Sequence, residues 1–420
     1  MASQVNPPRG MRDFLPHEKV QRERVLGVIR DSYRSHGFDE IETPVMEDSS
    51  RLNAGLGGDN EKLAFGVLKR GLTTEDFQKA TEGLDLVDLG LRFDLTVPLA
   101  RFYATHRAQL PTVFKSIQIA PVWRAERPQK GRYRQFVQCD IDVIGDASRL
   151  AEAELIAATA DTLTRLGLTG WTIRVNDRRL LFSMLEVFGF AAEEHASALI
   201  TVDKLDKVGQ DGVVAELRAK DFTPAAVDAL EAFFHRPMTM EYLPFGEAAI
   251  RKFLPAGVDE TAVTELAALA TDGVPLVFDP FLVRGMGYYT GSIFEIAHPE
   301  LGYSLGGGGR YDGMIGRFLG TDVPAVGISL GFERLVDLVD LGEDETAEAV
   351  ALVYDADVTI ETLVAIKGEL VAQGSRVRLE RSARNTKLQL EQLAAAGFTA
   401  RATVTSATSR AADLELKPLR

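Results

Sequence analysis

The residues best suited to chemistry lie in Trp123-Arg124-Ala125-Glu126-Arg127-Pro128-Gln129-Lys130-Gly131-Arg132-Tyr133-Arg134-Gln135-Phe136, where five cations between Arg124 and Arg134 meet a single acid, Glu126. The flanks, Phe114 to Val122 and Phe136 to Ile144, are apolar and rich in β-branched residues. They predict two strands with the basic run as the loop of an antiparallel hairpin. A cationic loop between rigid strands suits a polyanion, such as a nucleoside triphosphate or the end of an RNA. The whole chain carries a formal charge of -14, so any field that attracts a polyanion has to be local.

Four further segments carry reactive or ligand-binding side chains. In Leu91-Arg92-Phe93-Asp94-Leu95-Thr96-Val97-Pro98, an extended backbone would point Asp94 and Thr96 to one face, where they could hold an ammonium or imidazolium group. The same pair also suits an Asp/Thr turn or helix cap. Phe281 to Gly291 places Arg284 among apolar residues, then Tyr288 and Tyr289. A guanidinium there could fork onto a phosphate or form a structural ion pair. Leu305-Gly306-Gly307-Gly308-Gly309-Arg310-Tyr311-Asp312-Gly313 would let backbone approach a ligand, but on its own reads as a flexible hairpin turn and matches no phosphate-loop pattern. Ala325 to Leu335 reads as a buried strand entering a helix, with Arg334 in the first turn against the helix dipole. Its compensating anion could be a bound triphosphate, Glu333 or Asp337.

The elements that must position these groups follow from periodicity. Val20, Val25, Ile29 and Tyr33 recur at helical spacing within residues 17–36, and Gly37 ends that helix. Phe38 to Val45 follows as a proline-interrupted edge strand, a common dimer surface. Ser148 to Leu166 is a helix, Trp171 to Val175 a short strand, and residues 177–271 a helical insertion with no evident chemistry. Strands return at Leu276 to Phe278, Ser292 to Ile296 and Ala325 to Leu330. After the acidic linker Leu341 to Glu348, strands and helices alternate over 349–420, which predicts a compact α/β domain with some parallel pairing.

Bulk properties narrow the class. At 420 residues and 45% hydrophobic content the chain can build two to four cores. It has no run of about eighteen apolar residues that could span a membrane. The first residues, with charges and prolines, lack the apolar stretch of a signal peptide. The single cysteine, Cys139, excludes an internal disulfide, and no Cys/His cluster has metal-ligand spacing. The expectation is a soluble, cytoplasmic protein without a membrane partner. Residues 350–420 hold ten Lys/Arg and eight Asp/Glu, a net of +2, which leaves -16 for the rest. A less acidic tail is compatible with touching RNA, and equally with an ordinary small domain.

The order of these motifs resembles the class II aminoacyl-tRNA synthetases, and among them the histidyl-tRNA synthetase family. The resemblance begins at Arg9-Gly10-Met11-Arg12-Asp13. Gly37-Phe38 to Pro44 is similar to motif 1, Arg124 to Gln138 to motif 2, and Gly331 to Arg334 to motif 3. Leu282 to Glu295 and Gly307 to Gly313 look like the two histidine-specific motifs.

The resemblance implies an α+β fold: a six-stranded antiparallel catalytic sheet in two parts, 1–176 and 272–340, interrupted by the 177–271 insertion and followed by an anticodon-binding domain at 349–420. It implies ATP with Mg²⁺ as a substrate complex, histidine and tRNA(His) as the other substrates, no permanent cofactor, and a homodimer. Arg124 and Arg284 would act on the α-phosphate and Arg334 on the γ-phosphate end. Arg132 would contact the phosphates, and Phe136 would stack on adenine with Glu126 nearby. Asp94 and Thr96 would bind the α-amino group, while Gln138, Asp142, Tyr288, Tyr289 and Tyr311 would surround the imidazole. Arg127, Gln129 and Lys130 would meet the tRNA acceptor end.

Two departures from the family pattern matter. Gly287 stands where the family usually has Asp, and Asp94 and Asp142 stand where many bacterial members carry Glu. An alternative within the same fold is the regulatory subunit of short-form ATP phosphoribosyltransferase, which binds histidine without this catalysis. The retention of Arg124, Arg284 and Arg334 together with a C-terminal domain argues against it, whereas Gly287 leans towards it.

Overall fold

The computed structural model describes residues 5–53, 63–129, 131–236, 245–284, 287–342 and 348–419. Lys130, Gly285 and Met286, and most of the acidic linker (343–347) lie outside them. The chain divides into two units: Leu26–Val339 with the residues up to Asp13, and Phe14–Val25 with Asp340–Arg420.

The larger unit contains eleven strands among the described residues: β1 (Asp39–Glu40), β2 (Met46–Asp48), β3 (Phe65–Leu68), β4 (Val87–Leu91), β5 (Phe114–Trp123), β6 (Gln135–Ile144), β7 (Thr172–Asp177), β8 (Leu276–Phe278), β9 (Ser292–Ala297), β10 (Gly306–Arg310) and β11 (Ala325–Gly331). Eight of them form one sheet in the order β1-β5-β6-β11-β10-β9-β7-β8. The six inner strands pair antiparallel, while β1 joins β5 and β8 joins β7 in parallel at the two edges. A smaller sheet, β2-β4-β3, covers a region that sequence periodicity left unassigned.

The basic run is the loop of the β5–β6 hairpin, whose ladder extends from Phe114↔Ile144 to Trp123↔Gln135. Strand alternation then sorts β6 into two faces. Cys139, Ile141 and Val143 point into the core at 0% exposure. The Tyr33 hydroxyl reaches the Cys139 carbonyl at 3.5 Å. Gln138, Asp140 and Asp142 occupy the opposite face, where the cleft lies.

Three local expectations change. The strand expected over Phe38 to Val45 forms only as Asp39–Glu40, and residues 41–45 lie outside regular structure. Val25, Ile29 and Tyr33 are fully buried on the helix Pro16–Ser35, but Val20 is 54% exposed. At about 100° per residue, Val20 falls roughly 140° from that stripe. Arg22, almost buried, occupies the stripe instead, with its guanidinium 3.8 Å from the Phe14 ring centre. The glycine run is a central strand rather than a flexible turn. It is held on one side by β9 (Gly306↔Ile296 to Gly309↔Ile293) and on the other by β11 (Gly306↔Leu330 to Arg310↔Val326).

Between β7 and β8 the described residues form the helices Arg178–Phe188, His195–Val202, Leu205–Ala219, Pro224–Phe234, Glu247–Phe253 and Glu260–Ala267. Residues 237–244 are outside the described set.

The smaller unit carries β12 (Ala349–Tyr354), β13 (Arg376–Arg381), β14 (Ala400–Val404) and β15 (Lys417–Pro418) in the order β13-β12-β14-β15. The first three are parallel, crossed by the helices Ile360–Ala372 and Thr386–Ala395. Val350, Leu352, Ile366 and Val404 are the centre of its core.

Candidate active site

A cleft of about 600 Å³ opens on the exposed face of the large sheet. Every residue expected to meet ATP or histidine lines it: Asp94, Thr96, Arg124, Glu126, Arg132, Phe136, Gln138, Asp142, Arg284, Tyr288, Tyr289, Tyr311 and Arg334. Arg127 and Gln129 are exposed on the hairpin loop and lie outside the lining.

One half of the cleft is cationic. Arg124 donates through Nε to the Phe93 carbonyl at 3.0 Å, and its guanidinium stands 5.1 Å from the Phe136 ring centre. Burial pulls the Arg124 pKa below its usual value, opposed by Asp94 and Glu126. Arg132 contacts Glu126 at 3.3 Å. Arg334 lies in the short helix Phe332–Leu335 and donates to the carbonyls of Gly131 (3.2 Å) and Ser304, beside the Tyr303 ring. Burial lowers its pKa too, and Arg132 and Arg284 add repulsion. The neighbouring Glu333 pairs with Arg12, whose guanidinium also lies 3.7 Å from the Tyr133 ring centre. Cations gathered this way repel one another unless an anion joins them, which favours a polyphosphate ligand.

The other half is acidic and phenolic. Asp94, 2% exposed, accepts from the Val97 N–H at 3.2 Å, so it caps the helix Thr96–His106 and lines the cleft as well. Thr96 is hydrogen-bonded to Tyr288, whose ring packs edge-on against Tyr289 and Tyr311 at 4.9 and 6.1 Å between centres. Tyr311 donates its hydroxyl to Asp142 Oδ1 at 2.6 Å. Burial raises the Asp142 carboxyl to about 7, against the pull of the Tyr311 hydrogen bond. Burial, reinforced by Asp142, lifts Asp140 well above the carboxylate range. Burial also pushes Tyr289 up to about 12. Gln138 donates Nε2 to Ser329 Oγ at 2.9 Å, while its Oε1 is buried without a hydrogen-bond partner among the described residues. A ligand N–H would satisfy that acceptor.

Glycines make room for this constellation. A Cβ on Gly307 would lie 2.8 Å from Arg284 Cζ and Nη2, so β10 leaves the guanidinium a bare backbone to lie against. The N-terminal segment supports the hairpin, with Arg134 N donating to Gly10 O at 2.8 Å.

Sequence reading missed several cleft residues. Asp140 and Ser329 were detectable from strand alternation beside Gln138 and Asp142. The insertion was expected to carry no chemistry, yet Val202, Asp203, Leu205, Asp206 and Lys207 line the cleft. Arg174 lines it too, with nothing local in sequence to distinguish it, and so does Glu295, which ends the Leu282 to Glu295 motif but had no role assigned.

A six-stranded antiparallel core with a basic hairpin at one end and a cleft on its face has the architecture of the class II aminoacyl-tRNA synthetase fold. The model of the family described as "Histidyl-tRNA synthetase" matches residues 10–335. A histidine–tRNA ligase of Leifsonia xyli subsp. xyli is 61% identical, over 100% of this chain and 99% of its own. A probable histidine–tRNA ligase of Tropheryma whipplei is 45% identical over 94% of each. The crystal structure of histidyl-tRNA synthetase from Nostoc sp. PCC 7120 superposes with a TM-score of 0.76 at 27% identity, covering 99% of this chain and 95% of that one. The chain belongs to the histidyl-tRNA synthetase family. A Bacillus halodurans structure titled as an ATP phosphoribosyltransferase regulatory subunit/histidyl-tRNA synthetase shares the fold at 20% identity and a TM-score of 0.75. Among the described residues no helix is long and apolar enough to cross a membrane.

Proposed function

We propose that this chain is a histidine–tRNA ligase, which activates histidine with ATP and transfers it to tRNA(His). The observation that carries the proposal is the division of one cleft into a cationic half, around Arg124, Arg284 and Arg334, and an acidic-phenolic half, around Asp94, Asp142 and Tyr311. The first half suits a triphosphate and the second an amino acid with a basic side chain.

In the first step a histidine carboxylate oxygen attacks the α-phosphorus of ATP, and the bond to pyrophosphate breaks. Charge grows on the equatorial oxygens, and preorganised guanidiniums stabilise it there. Arg124 and Arg284 take the α-phosphate, Arg334 the γ-phosphate end, and Arg132 the remaining phosphate oxygens. Phe136, already a platform for the Arg124 guanidinium, stacks on adenine with Glu126 beside it. Magnesium enters with ATP as part of the substrate. In the second step the terminal ribose hydroxyl of tRNA attacks the activated carbonyl and AMP leaves.

Asp94 and Thr96 hold the α-ammonium, while Asp142, Gln138, Tyr288, Tyr289 and Tyr311 surround the imidazole. A pocket of buried hydrogen-bonding groups rejects other side chains because each would leave partners unpaired. Arg127, Gln129 and Lys130 receive the acceptor end, and 349–420 reads the anticodon. Residues 1–176 and 272–340 are the catalytic parts, with 177–271 as the insertion between them. The protein acts as a homodimer in the cytoplasm. Val45 and Met46, exposed where the chain enters β2, supply apolar surface for the dimer contact.

Histidine-dependent ATP–pyrophosphate exchange without tRNA tests the proposal. Exchange that no other amino acid supports is the expected result. Histidine binding without exchange would favour the regulatory-subunit alternative.

A further inference from the structure

Arg284 belongs to no helix or strand, and a long side chain on a loop needs an anchor if it is to meet a phosphate at a fixed place. Its Nη1 donates to Glu295 Oε2 at 2.8 Å, from the rigid strand β9. The other oxygen, Glu295 Oε1, accepts from Arg174 Nη1 at 2.8 Å. Arg174 and Glu295 are cross-strand partners on β7 and β9. On its far side Arg174 donates Nε to Asp279 Oδ2 at 2.7 Å. Asp279 is itself built in: its N–H donates to the Val175 carbonyl at 3.1 Å, and its Oδ1 accepts from Phe281 N at 2.9 Å as the chain turns towards Arg284. The chain Asp279–Arg174–Glu295–Arg284 therefore connects the start of the loop to the guanidinium at its end.

We infer that Glu295 and Arg174 are positioning residues for Arg284, aiming its guanidinium along Gly307 into the cationic half of the cleft. This inference rests on the reading of Arg284 given above. Two features of the geometry carry it. Each Glu295 oxygen has its own arginine, so the carboxylate cannot rotate without losing one charge-assisted hydrogen bond. Gly307 leaves the guanidinium the space that a side chain would fill, since a Cβ there would lie 2.8 Å from its Cζ and Nη2.

The insertion reaches the same chain. Arg174 Nη1 also contacts Asp206 Oδ2 at 3.1 Å, from the first turn of the helix Leu205–Ala219. Asp206 is largely exposed, so that contact is the weakest link of the four.

The test is exchange kinetics on the full-length chain carrying Glu295→Gln, Arg174→Ala, Arg174→Lys, Arg284→Ala and the double change Arg174→Ala/Arg284→Ala. Glu295→Gln preserves shape but weakens the charge-assisted bond. We expect it and Arg174→Ala to lower kcat by roughly ten- to a hundredfold, with KM for histidine and ATP within about twofold. Arg174→Lys keeps the charge without the planar fork, so its kcat falls to a value between wild type and Arg174→Ala. In the Arg284→Ala background, Arg174→Ala costs nothing more, because the group it positions is gone.

Thermal midpoints are measured in parallel, and Arg174→Lys takes the place of Arg174→Ala, alone and in the double change, if the alanine variant does not fold. Unchanged kcat, a rise in KM instead, or additive losses in the double variant would overturn the positioning role while leaving the activity intact. Absence of exchange in the wild-type chain would overturn the functional reading, and this role with it.

Discussion

Asp142 and Gly327 face each other across β6 and β11, and a Cβ on Gly327 would lie 1.9 Å from Asp142 Oδ1. The carboxylate can turn towards Tyr311 only because its cross-strand partner has no side chain. Gly327→Ala therefore displaces Asp142 and breaks its hydrogen bond to Tyr311. Histidine affinity, measured by calorimetry, should fall on the order of tenfold or more, while ATP affinity changes little. Equal loss of both would place Gly327 in general sheet packing.

Burial of its carboxyl should make stability depend on pH through Asp142. Its folded pKa, about 7, lies above the ordinary 3.8, so folding favours the protonated form. The contribution is complete below about pH 4 and disappears as pH rises through about 7. Asp140 acts in the same direction. Melting curves of Asp142→Asn across this range should be flatter than those of the wild type, and parallel curves would show that Asp142 titrates normally.

Gly287, the main departure from the family pattern, sits in open space. It is exposed, and among the described residues nothing lies within 4 Å of a Cβ built on it. Its φ is not in the left-handed region that would oppose a side chain. Gly287→Asp should leave stability within about 0.5 kcal/mol of wild type and retain exchange. A large drop in melting temperature would mean that the bend itself requires glycine.

Glu152 and Arg310 form a buried ion pair at 2.6 Å, with side chains 0% and 4% exposed. Arg149 and Ser292 complete the hydrogen bonding around the carboxylate. Glu152→Ala leaves the Arg310 charge in the core with Asp312, at 3.2 Å, as the one remaining paired carboxylate among the described residues. The expected cost is about 3–5 kcal/mol of unfolding free energy by denaturant titration. Because Arg310 immediately precedes Tyr311, histidine binding should weaken as well. A loss below about 1 kcal/mol would show that the site relaxes around the missing carboxylate.

Local pattern determined much of this protein. Apolar, β-branched flanks around a basic run marked the β5–β6 hairpin, whereas Gln138 and Asp142 were singled out only by the family resemblance. The strands and helices of residues 349–420 were legible for the same reason: apolar periodicity is written in neighbouring residues.

Other features depended on residues distant in sequence. Gly306 to Gly309 have little strand propensity of their own, and β9 and β11 impose the strand by pairing on both sides. Arg12 meets Glu333 across more than three hundred residues, and Glu295 meets Arg174 across 121. Asp203 and Asp206, from the helical residues between β7 and β8, line the same cleft as residues of the large sheet. An ion pair leaves no periodic trace in either of its segments. The motifs in the sequence thus marked groups that the fold gathers around one cleft, and tertiary structure alone chose the groups that hold them in place.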